Sequence, residues 1–265
     1  MTLLEAVQRL ARKLVVLRSG TADAGGNTTT LVDADRFEND DDWNDAIIIN
    51  VTNGELGRVT DFVGSSGTFT TTTMTAHAEN DKYVVILPSY PKDVLFEAIN
   101  GAIQELKIPT EDSTSLDTIA SVTEYDLPAG INKRTLRQVY VRRDTSGNVD
   151  YDWQLLHNWY PRPKGIGNQE VIVFGKAMDA GLDLRFVYTI NHPILDDLAD
   201  TISEYIPLEK WLPQAAVNAI ESRSLFASMS KQEERRLARF ERDTEKARGV
   251  IIPLPPVTGR IKAKW

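Results

Sequence analysis

The stretch AIIINVTNGELGRVTDFV, residues 46–63, predicts a β-hairpin. Isoleucine and valine, which favour strands, are frequent in its two halves, and the dipeptide Asn53-Gly54 between them suits a tight turn. The following segments GSSGTFTTTTMT (64–75) and KYVVIL (82–87) indicate a turn and further short strands. Residues 20–88 are therefore predicted to form a small β-barrel or sandwich, called the β module below.

A helical pattern precedes the β module. A narrow apolar stripe recurs at steps of four and three residues, formed by Leu3, Val7, Leu10, Leu14 and Leu17. Gly20 is a good helix terminator, so the first helix is predicted to extend nearly to that position. The β module is thus predicted to be inserted directly after this helix.

More helices are predicted beyond the β module. Pro91 stands at the start of a second helical pattern, where its missing N–H group does no harm, and Pro109 closes that pattern. Helices return after Pro193, with three patterns at 194–202, 208–229 and 231–250. Pro213 is compatible with the helix predicted at 208–229 only if it lies in the first turn of that helix.

A second set of strand signals fills the gap between these helices, roughly over residues 117–190. Aromatic or β-branched segments alternate with turn glycines: SVTEYDLPAG, RQVYVRRD, YDWQLLHNWY, EVIVFG and LDLRFVYT. Because the helices must bury their apolar stripes against one another, both β regions are interpreted as excursions from one bundle. The predicted fold class is α+β: a helical bundle with two β-rich insertions and an extended C-terminal arm.

This interpretation predicts four regions along the chain. They are a helical core (1–19, 89–110 and 194–249), the inserted β module (20–88), a second β region (111–193) and the extended arm (250–265).

Composition excludes several kinds of function. The 265 residues contain no cysteine, which excludes disulfides, thiolate catalysis and cysteine-ligated metals. No apolar run approaches the roughly 20 residues of a membrane span, and the charged N-terminal helix does not resemble a signal peptide. The net charge of −8 argues against general nucleic-acid binding.

The charge is unevenly distributed. Residues 21–88 hold twelve acids and three bases, whereas residues 231–265 hold ten bases and five acids. The C-terminal end is therefore expected to attract an acidic partner, while the β module repels polyanions.

No catalytic motif has usable spacing, so the chain is not predicted to be an enzyme. The three histidines, His77, His157 and His192, form no spaced metal-binding pair and are assigned structural roles. The sequence Gly64-Ser65-Ser66-Gly67 lacks the spacing of a nucleophile elbow and is interpreted as a turn. Nucleotide-binding glycine motifs are missing, and a carboxylate pair for glycoside hydrolysis stays open only as a minor alternative.

An acidic stretch within the β module raises the question of calcium. Its carboxylates are Asp33, Asp35, Asp40, Asp41, Asp42 and Asp45. They lack the order of an EF-hand loop, with its central glycine and closing glutamate. A solvated acidic loop is the favoured interpretation, and no metal or cofactor is predicted.

The C-terminal stretch VIIPLPPVTGRIKAKW, residues 250–265, is the most informative segment for function. Its prolines exclude regular helix, and apolar residues would be exposed if it extended freely into water. Docking on a partner is favoured over folding back on its own domain. The predicted partner-binding residues are Ile251, Ile252, Leu254, Pro255, Pro256, Arg260, Ile261, Lys262, Lys264 and Trp265.

Two segments and the arm together resemble a known family. The phrase EYDLPAGINKRTLRQVYVR (124–142), the helical bundle with β insertions and the apolar, basic arm look like the head-to-tail adaptor (connector or neck) proteins of tailed bacteriophages. The β module, with its Gly-Thr-rich start and the strand from Gly54 to Phe62, resembles a module common in phage virion proteins.

The resemblance implies a structural protein of the virion neck, assembled in the host cytoplasm. Such adaptors form a ring, typically of twelve copies, that docks beneath the portal and surrounds the channel through which genomic DNA passes without sequence-specific binding. Residues 250–265 would insert into the portal protein, and a downstream neck or tail protein would bind the ring.

Two other functions stay open from the sequence. One is a tail-completion or stopper ring, whose arm binds a neck or tail protein. The other is a tail component whose β module binds carbohydrate or a receptor through Phe37, Trp43, Phe62, Phe69 and Tyr83, although most of these fit strand-core positions.

Overall fold

The computed structural model describes five ranges of the chain: 1–112, 116–142, 153–164, 170–224 and 229–248. Within them, four α-helices and thirteen β-strands are present, and the strands form three antiparallel sheets. The chain divides into two units. The first contains Met1–Leu106 and the part that begins at His192, and the second is Lys107–Asn191.

The predicted fold class, a helical bundle with β insertions, is wrong. The described residues are mostly β-sheet, with only four short helices. The physical reason is that each β region buries a hydrophobic core of its own. The prediction relied on the helical stripes because their periodicity is easy to detect in a sequence. Strand pairing between distant segments has no local sequence signal.

The four helices all belong to the first unit. They are α1 (Leu3–Leu14), α2 (Lys92–Gln104), α3 (Leu208–Ser224) and α4 (Lys231–Arg248). The short helix predicted at 194–202 is wrong, because the Asp200 carboxylate accepts the backbone N–H groups of Asp196 and Asp197, both at 2.9 Å. This local side-chain bonding replaces the helical backbone pattern.

Helix α1 shows why the N-terminal segment is helical and where it stops. Thr2 and Glu5 form a capping box, in which each side chain accepts the other's backbone N–H at 3.2 Å. The helix ends at Val15, which adopts a left-handed conformation with φ of 59°. Leu17, predicted to complete the helical stripe, and Gly20, predicted to terminate the helix, lie in a strand instead.

Helix α3 is the centre of the helical part. It packs against α1, α2 and α4 and is buried on most of its circumference. Its buried residues are Trp211, Pro213, Ala215, Ala216, Val217, Ala219 and Ile220. Pro213 is the sixth residue of the helix, past the first turn in which it was predicted to lie.

The first unit also contains a six-stranded sheet that corresponds to the β module. Its strands are β1 (Leu17–Thr21), β2 (Thr30–Val32), β3 (Ile47–Asn50), β4 (Glu55–Val63), β5 (Thr68–Thr71) and β6 (Lys82–Ile86). They pair antiparallel in the order β1-β6-β3-β4-β5-β2. The backbone N–H of Asp23, just beyond β1, donates to Val32 in β2 at 2.7 Å and so links the two edges.

The hairpin predicted for residues 46–63 is confirmed, since β3 and β4 pair from Ile47 with Arg58 to Asn50 with Glu55. The strands are joined by four residues, 51–54, and not by the Asn53-Gly54 dipeptide alone. In this turn the Asn50 side-chain oxygen accepts the backbone N–H groups of Thr52 and Asn53 at 3.0 and 3.1 Å. Gly54 has a φ of 73°, the left-handed conformation that glycine adopts without strain.

The second unit consists of two further sheets. Its strands are β7 (Lys107–Asp112), β8 (Glu124–Asp126), β9 (Leu136–Arg142), β10 (Trp153–Leu155), β11 (Trp159–Pro163), β12 (Glu170–Phe174) and β13 (Leu184–Asn191). The sheets have the orders β10-β9-β13-β7 and β11-β12-β8. The segment YDWQLLHNWY, predicted as one strand, supplies β10 to one sheet and β11 to the other.

Apolar residues of both sheets form the core of the second unit. Tyr125, Ile172 and Phe174 from the three-stranded sheet pack with Val139 and Phe186 from the four-stranded sheet. The segment EYDLPAGINKRTLRQVYVR supplies β8, β9 and the turn between them, so much of this segment serves the core of the second unit.

Trp211 tests the central role of α3. It is fully buried, so Trp211→Ala is expected to lower the free energy of unfolding by about 3–5 kcal/mol, measured by urea denaturation. The matched control Glu209→Ala changes an exposed residue of the same helix and should alter it by no more than about 0.5 kcal/mol. Equal effects of the two substitutions would contradict the assignment of α3 as the centre.

Candidate functional site

The arm residues predicted from the sequence lie outside the described residues. They are Ile251, Ile252, Leu254, Pro255, Pro256, Arg260, Ile261, Lys262, Lys264 and Trp265. The structure does describe α4, the helix from whose end the arm continues. The C-terminal half of α4, which precedes these residues in the chain, is called the root of the arm.

Helix α4 is attached to α1 by charged and aromatic contacts. Lys13 Nζ lies 3.4 Å from an Asp243 carboxylate oxygen and 5.2 Å from the centroid of the Phe240 ring. Arg236 Nη1 donates a hydrogen bond to the Leu14 carbonyl oxygen at 2.8 Å. These side-chain contacts link α4 to α1, while most of the helix–helix packing of α4 is against α3.

The other end of α4 is attached to α3. Glu233, in the first turn of α4, forms an ion pair with Arg223 near the end of α3. Ser230 and Glu233 also cap the helix, since the Glu233 carboxylate accepts the Ser230 backbone N–H at 2.9 Å. Helix α4 is thus attached at its start as well as near its end.

An apolar groove lies beside the end of α4, between α1, α3 and α4. It has a volume of about 490 Å³. Its lining residues are Lys13, Leu208, Glu209, Leu212, Pro213, Asp243, Lys246 and Ala247. Ala247, which lines the groove, is the penultimate residue of α4, so the groove lies at the C-terminal end of this helix.

The β module contains a buried polar network. The Tyr83 hydroxyl donates to an Asp33 carboxylate oxygen at 2.6 Å and accepts from Arg36 Nε at 2.8 Å. Arg36 also donates to the Ser19 carbonyl oxygen at 3.0 Å. Burial, together with the hydrogen bond to Asp33, raises the pKa of Tyr83, so its hydroxyl stays protonated and holds the 33–36 segment on the sheet.

The acidic stretch that raised the question of calcium uses its carboxylates within the fold. Asp40 accepts the Gly64 backbone N–H at 2.7 Å, Asp42 accepts that of Asn39 at 3.0 Å, and Asp45 pairs with Arg58. Across the described ranges, no group of three or more histidine, aspartate and glutamate side chains is arranged to hold a metal ion.

The three histidines lie in separate places. His77 is buried in the β module, where its Nδ1 lies 3.1 Å from the Asn50 side-chain nitrogen. Asn50 also donates to Asp81 at 3.0 Å. His157 is exposed in the second unit, and the ring of His192 bonds the Pro193 carbonyl oxygen at 2.8 Å and the Ser203 backbone N–H at 3.0 Å.

A groove of about 640 Å³ in the second unit includes His157 in its lining. Lys176 and Asp179 also line it, among apolar residues such as Phe174 and Met178. The Gly64-Ser65-Ser66-Gly67 segment, in contrast, is the turn that was predicted, and it joins β4 to β5.

The aromatic residues proposed for carbohydrate binding are mostly inside the β module. Trp43, Phe62, Phe69 and Tyr83 are buried, and the rings of Phe62 and Phe69 lie 4.6 Å apart between centroids. Phe37 is the exception, with 86% of its surface exposed. A single exposed aromatic residue does not form the extended stacking surface that this alternative requires.

Comparison with known proteins identifies no relative: no family model matches the chain, and neither does any curated protein. No helix within the described ranges is long and apolar enough to cross a membrane.

Neither the attachment of α4 nor the Tyr83 network is predicted by the sequence. Lys13 and Asp243 are 230 positions apart, and Arg36 and Tyr83 are 47 apart, so local spacing contains no signal for either pair. Leu208 and Leu212 were recognised as helical, but their place in a groove depends on the packing of three helices.

Tyr83→Phe tests the network in the β module. The substitution removes the hydroxyl from two buried hydrogen bonds, so it should lower the free energy of unfolding by about 1–3 kcal/mol in urea denaturation. Tyr160→Phe removes an exposed hydroxyl and should change it by no more than about 0.5 kcal/mol. An unchanged stability of Tyr83→Phe would show that the network does not stabilise the fold.

The burial of His77 predicts that the stability of the fold depends on pH. Burial lowers the pKa of His77 below its ordinary value of about 6.5, partly offset by Asp81 and Glu55. The unfolded chain therefore binds the proton more readily than the folded chain, and the free energy of unfolding should fall as the pH drops below about 6.5.

The measurement is urea denaturation between pH 7.5 and about pH 5 on three proteins. His77→Asn keeps an acceptor near the Nδ1 position but lacks the titrating ring, so part of the fall with pH should disappear. His157→Asn, at an exposed histidine, should keep the full dependence. Parallel curves for the wild type and His77→Asn would contradict the prediction.

Proposed function

We propose that this chain is a structural virion protein of a tailed bacteriophage, a head-to-tail adaptor that forms a ring on the portal. In this role it continues the DNA channel toward the tail, and residues 250–265 dock on the portal protein. The observation that carries the proposal is the fixed root of the arm: α4 is attached to α1 and α3 and leads directly into the apolar, basic segment.

A fixed root matters for an arm that joins two assemblies. A segment that binds a partner transmits force to its own domain only if its first residues are anchored there. Lys13, Asp243 and Arg236 supply that anchor at α4. The three prolines of residues 250–265 also restrict the unbound segment, which reduces the entropy lost on docking.

The β regions support a structural function. In both units the large side chains of the sheets are used in cores, and several buried polar groups of the β module, such as Tyr83 with Asp33 and Asn50 with Asp81, bond to one another. Such β modules suit a protein that presents fixed surfaces to neighbours. The net charge of −8 suits a channel wall along which DNA slides without adhering.

Removal of residues 250–265 tests this proposal. We expect a truncated chain with unchanged circular dichroism and thermal unfolding, because the anchoring contacts of α4 remain. Capture of purified portal protein should weaken by more than about 100-fold, since several apolar anchors are lost together. A full-length chain with the order of residues 250–265 scrambled keeps length and charge and should also fail to bind.

Two results would overturn the proposal. One is a truncated chain that binds the portal as the full chain does. The other is a full chain that ignores the portal and binds a tail-side neck protein through residues 250–265, which would assign it to the stopper level instead.

A further inference from the structure

Helix α4 separates its exposed charges by sign. Successive residues of a helix are rotated by about 100°, so positions spaced by four, three and four residues share one side. Four cations with this spacing, Arg235, Arg239, Arg242 and Lys246, form what we call the basic flank. Glu234, Glu241 and Glu245 have the same kind of spacing and form the acidic flank.

The two flanks lie on opposite sides of the buried face of α4. That face contains Phe240, Thr244 and Ala247, which contact the other helices of the first unit. All seven charged residues of the flanks are exposed. No ion pair is formed by any of these seven side chains within the described part of the chain, since the ion pairs of α4 use Glu233 and Asp243 instead.

This separation is unfavourable for an isolated molecule. Like charges lie one helical turn apart along each flank, for example Arg235 with Arg239 and Glu241 with Glu245, and such pairs destabilise a helix. Asp243, one turn from Arg239 and from Lys246, offsets only part of this repulsion. A surface helix that stabilised itself would instead place a glutamate four residues before a lysine or arginine. A partner with the opposite charge removes the repulsion on each flank.

We propose that the two flanks of α4 bind one another between copies of this chain, the basic flank of one copy against the acidic flank of the next. The charge complementarity points to a second copy because a single helix carries both partners of the contact. A polyanion would use only the basic flank and would be repelled by the net charge of −8.

The geometry of this contact suits a ring. The two flanks are different surfaces, one on either side of the buried face of the helix, so the contact is head-to-tail and leaves a free flank at each end of a pair. Repetition closes into a ring if the rotation between copies allows it. The inference deepens the proposed function, on which it rests for the closed ring, while the pairwise contact itself is independent of the portal.

The test compares the full chain with two triple variants in sedimentation velocity and native mass measurement. Arg235→Glu with Arg239→Glu and Arg242→Glu makes both flanks acidic. Glu234→Lys with Glu241→Lys and Glu245→Lys makes both flanks basic. The matched control reverses two exposed cations of α1, Arg9→Glu with Arg12→Glu.

We expect the unaltered chain and the α1 control to self-associate in about 50 mM salt, with an apparent Kd that rises at least about tenfold by about 500 mM salt, because screening weakens exposed charge pairs. Each triple variant alone should be monomeric. An equimolar mixture of the two triple variants should regain association with alternating copies, which also proves that both variants are folded.

Three results would overturn the inference. They are an unaltered chain that stays monomeric up to about 1 mM in low salt, triple variants that associate as well as the unaltered chain, and a mixture that fails to regain association. Loss of binding to a short DNA duplex by the acidic variant, with self-association intact, would assign the basic flank to a polyanion instead.

The same proteins separate this inference from the proposed function. Both triple variants keep residues 250–265, so a single copy should still be captured by the portal protein. The chain truncated at residue 249 should lose portal capture and keep its self-association in low salt. Absence of portal capture would therefore contradict the proposed function, whereas absence of self-association would contradict the contact between the flanks.

Discussion

The burial of α3 is the constraint on which the first unit depends. This helix is apolar on most of its circumference, and it packs against α1, α2 and α4 at once. A helix with this apolar surface is stable in water only when neighbours cover that surface. The chain must therefore return to the helices after each β region, which explains why α1, α2 and α3 are far apart in sequence and adjacent in space.

Helix α4 is buried much less than α3. Only one face of this helix is buried, and its few buried residues include Phe240 and Ala247. The remaining attachment comes from polar contacts: Lys13 with Asp243, Arg236 with the Leu14 carbonyl, and Arg223 with Glu233. These ion pairs are partly buried, and they hold α4 near its start and near its end in addition to its packing against α3.

How much of this arrangement the sequence predicts depends on the range of the interactions. The hairpin at 46–63 and the turn at 64–67 follow from local signals, and both are confirmed. The helical-bundle class and the helix at 194–202 are wrong, because apolar spacing alone does not reveal strand partners or the capping by Asp200. The Tyr83 network and the attachment of α4 depend on residues far apart in sequence, which no local pattern contains.

The functional signals follow the same division. The apolar and basic character of residues 250–265 and the spacing of charges on α4 are visible in the sequence, whereas the exposure of the flanks and the fixed root require the fold. These two features belong to one helix. The proposed contact between copies at the flanks would add to the stability of α4 by mass action. The proposed self-association and the proposed portal binding would therefore both act through this one helix.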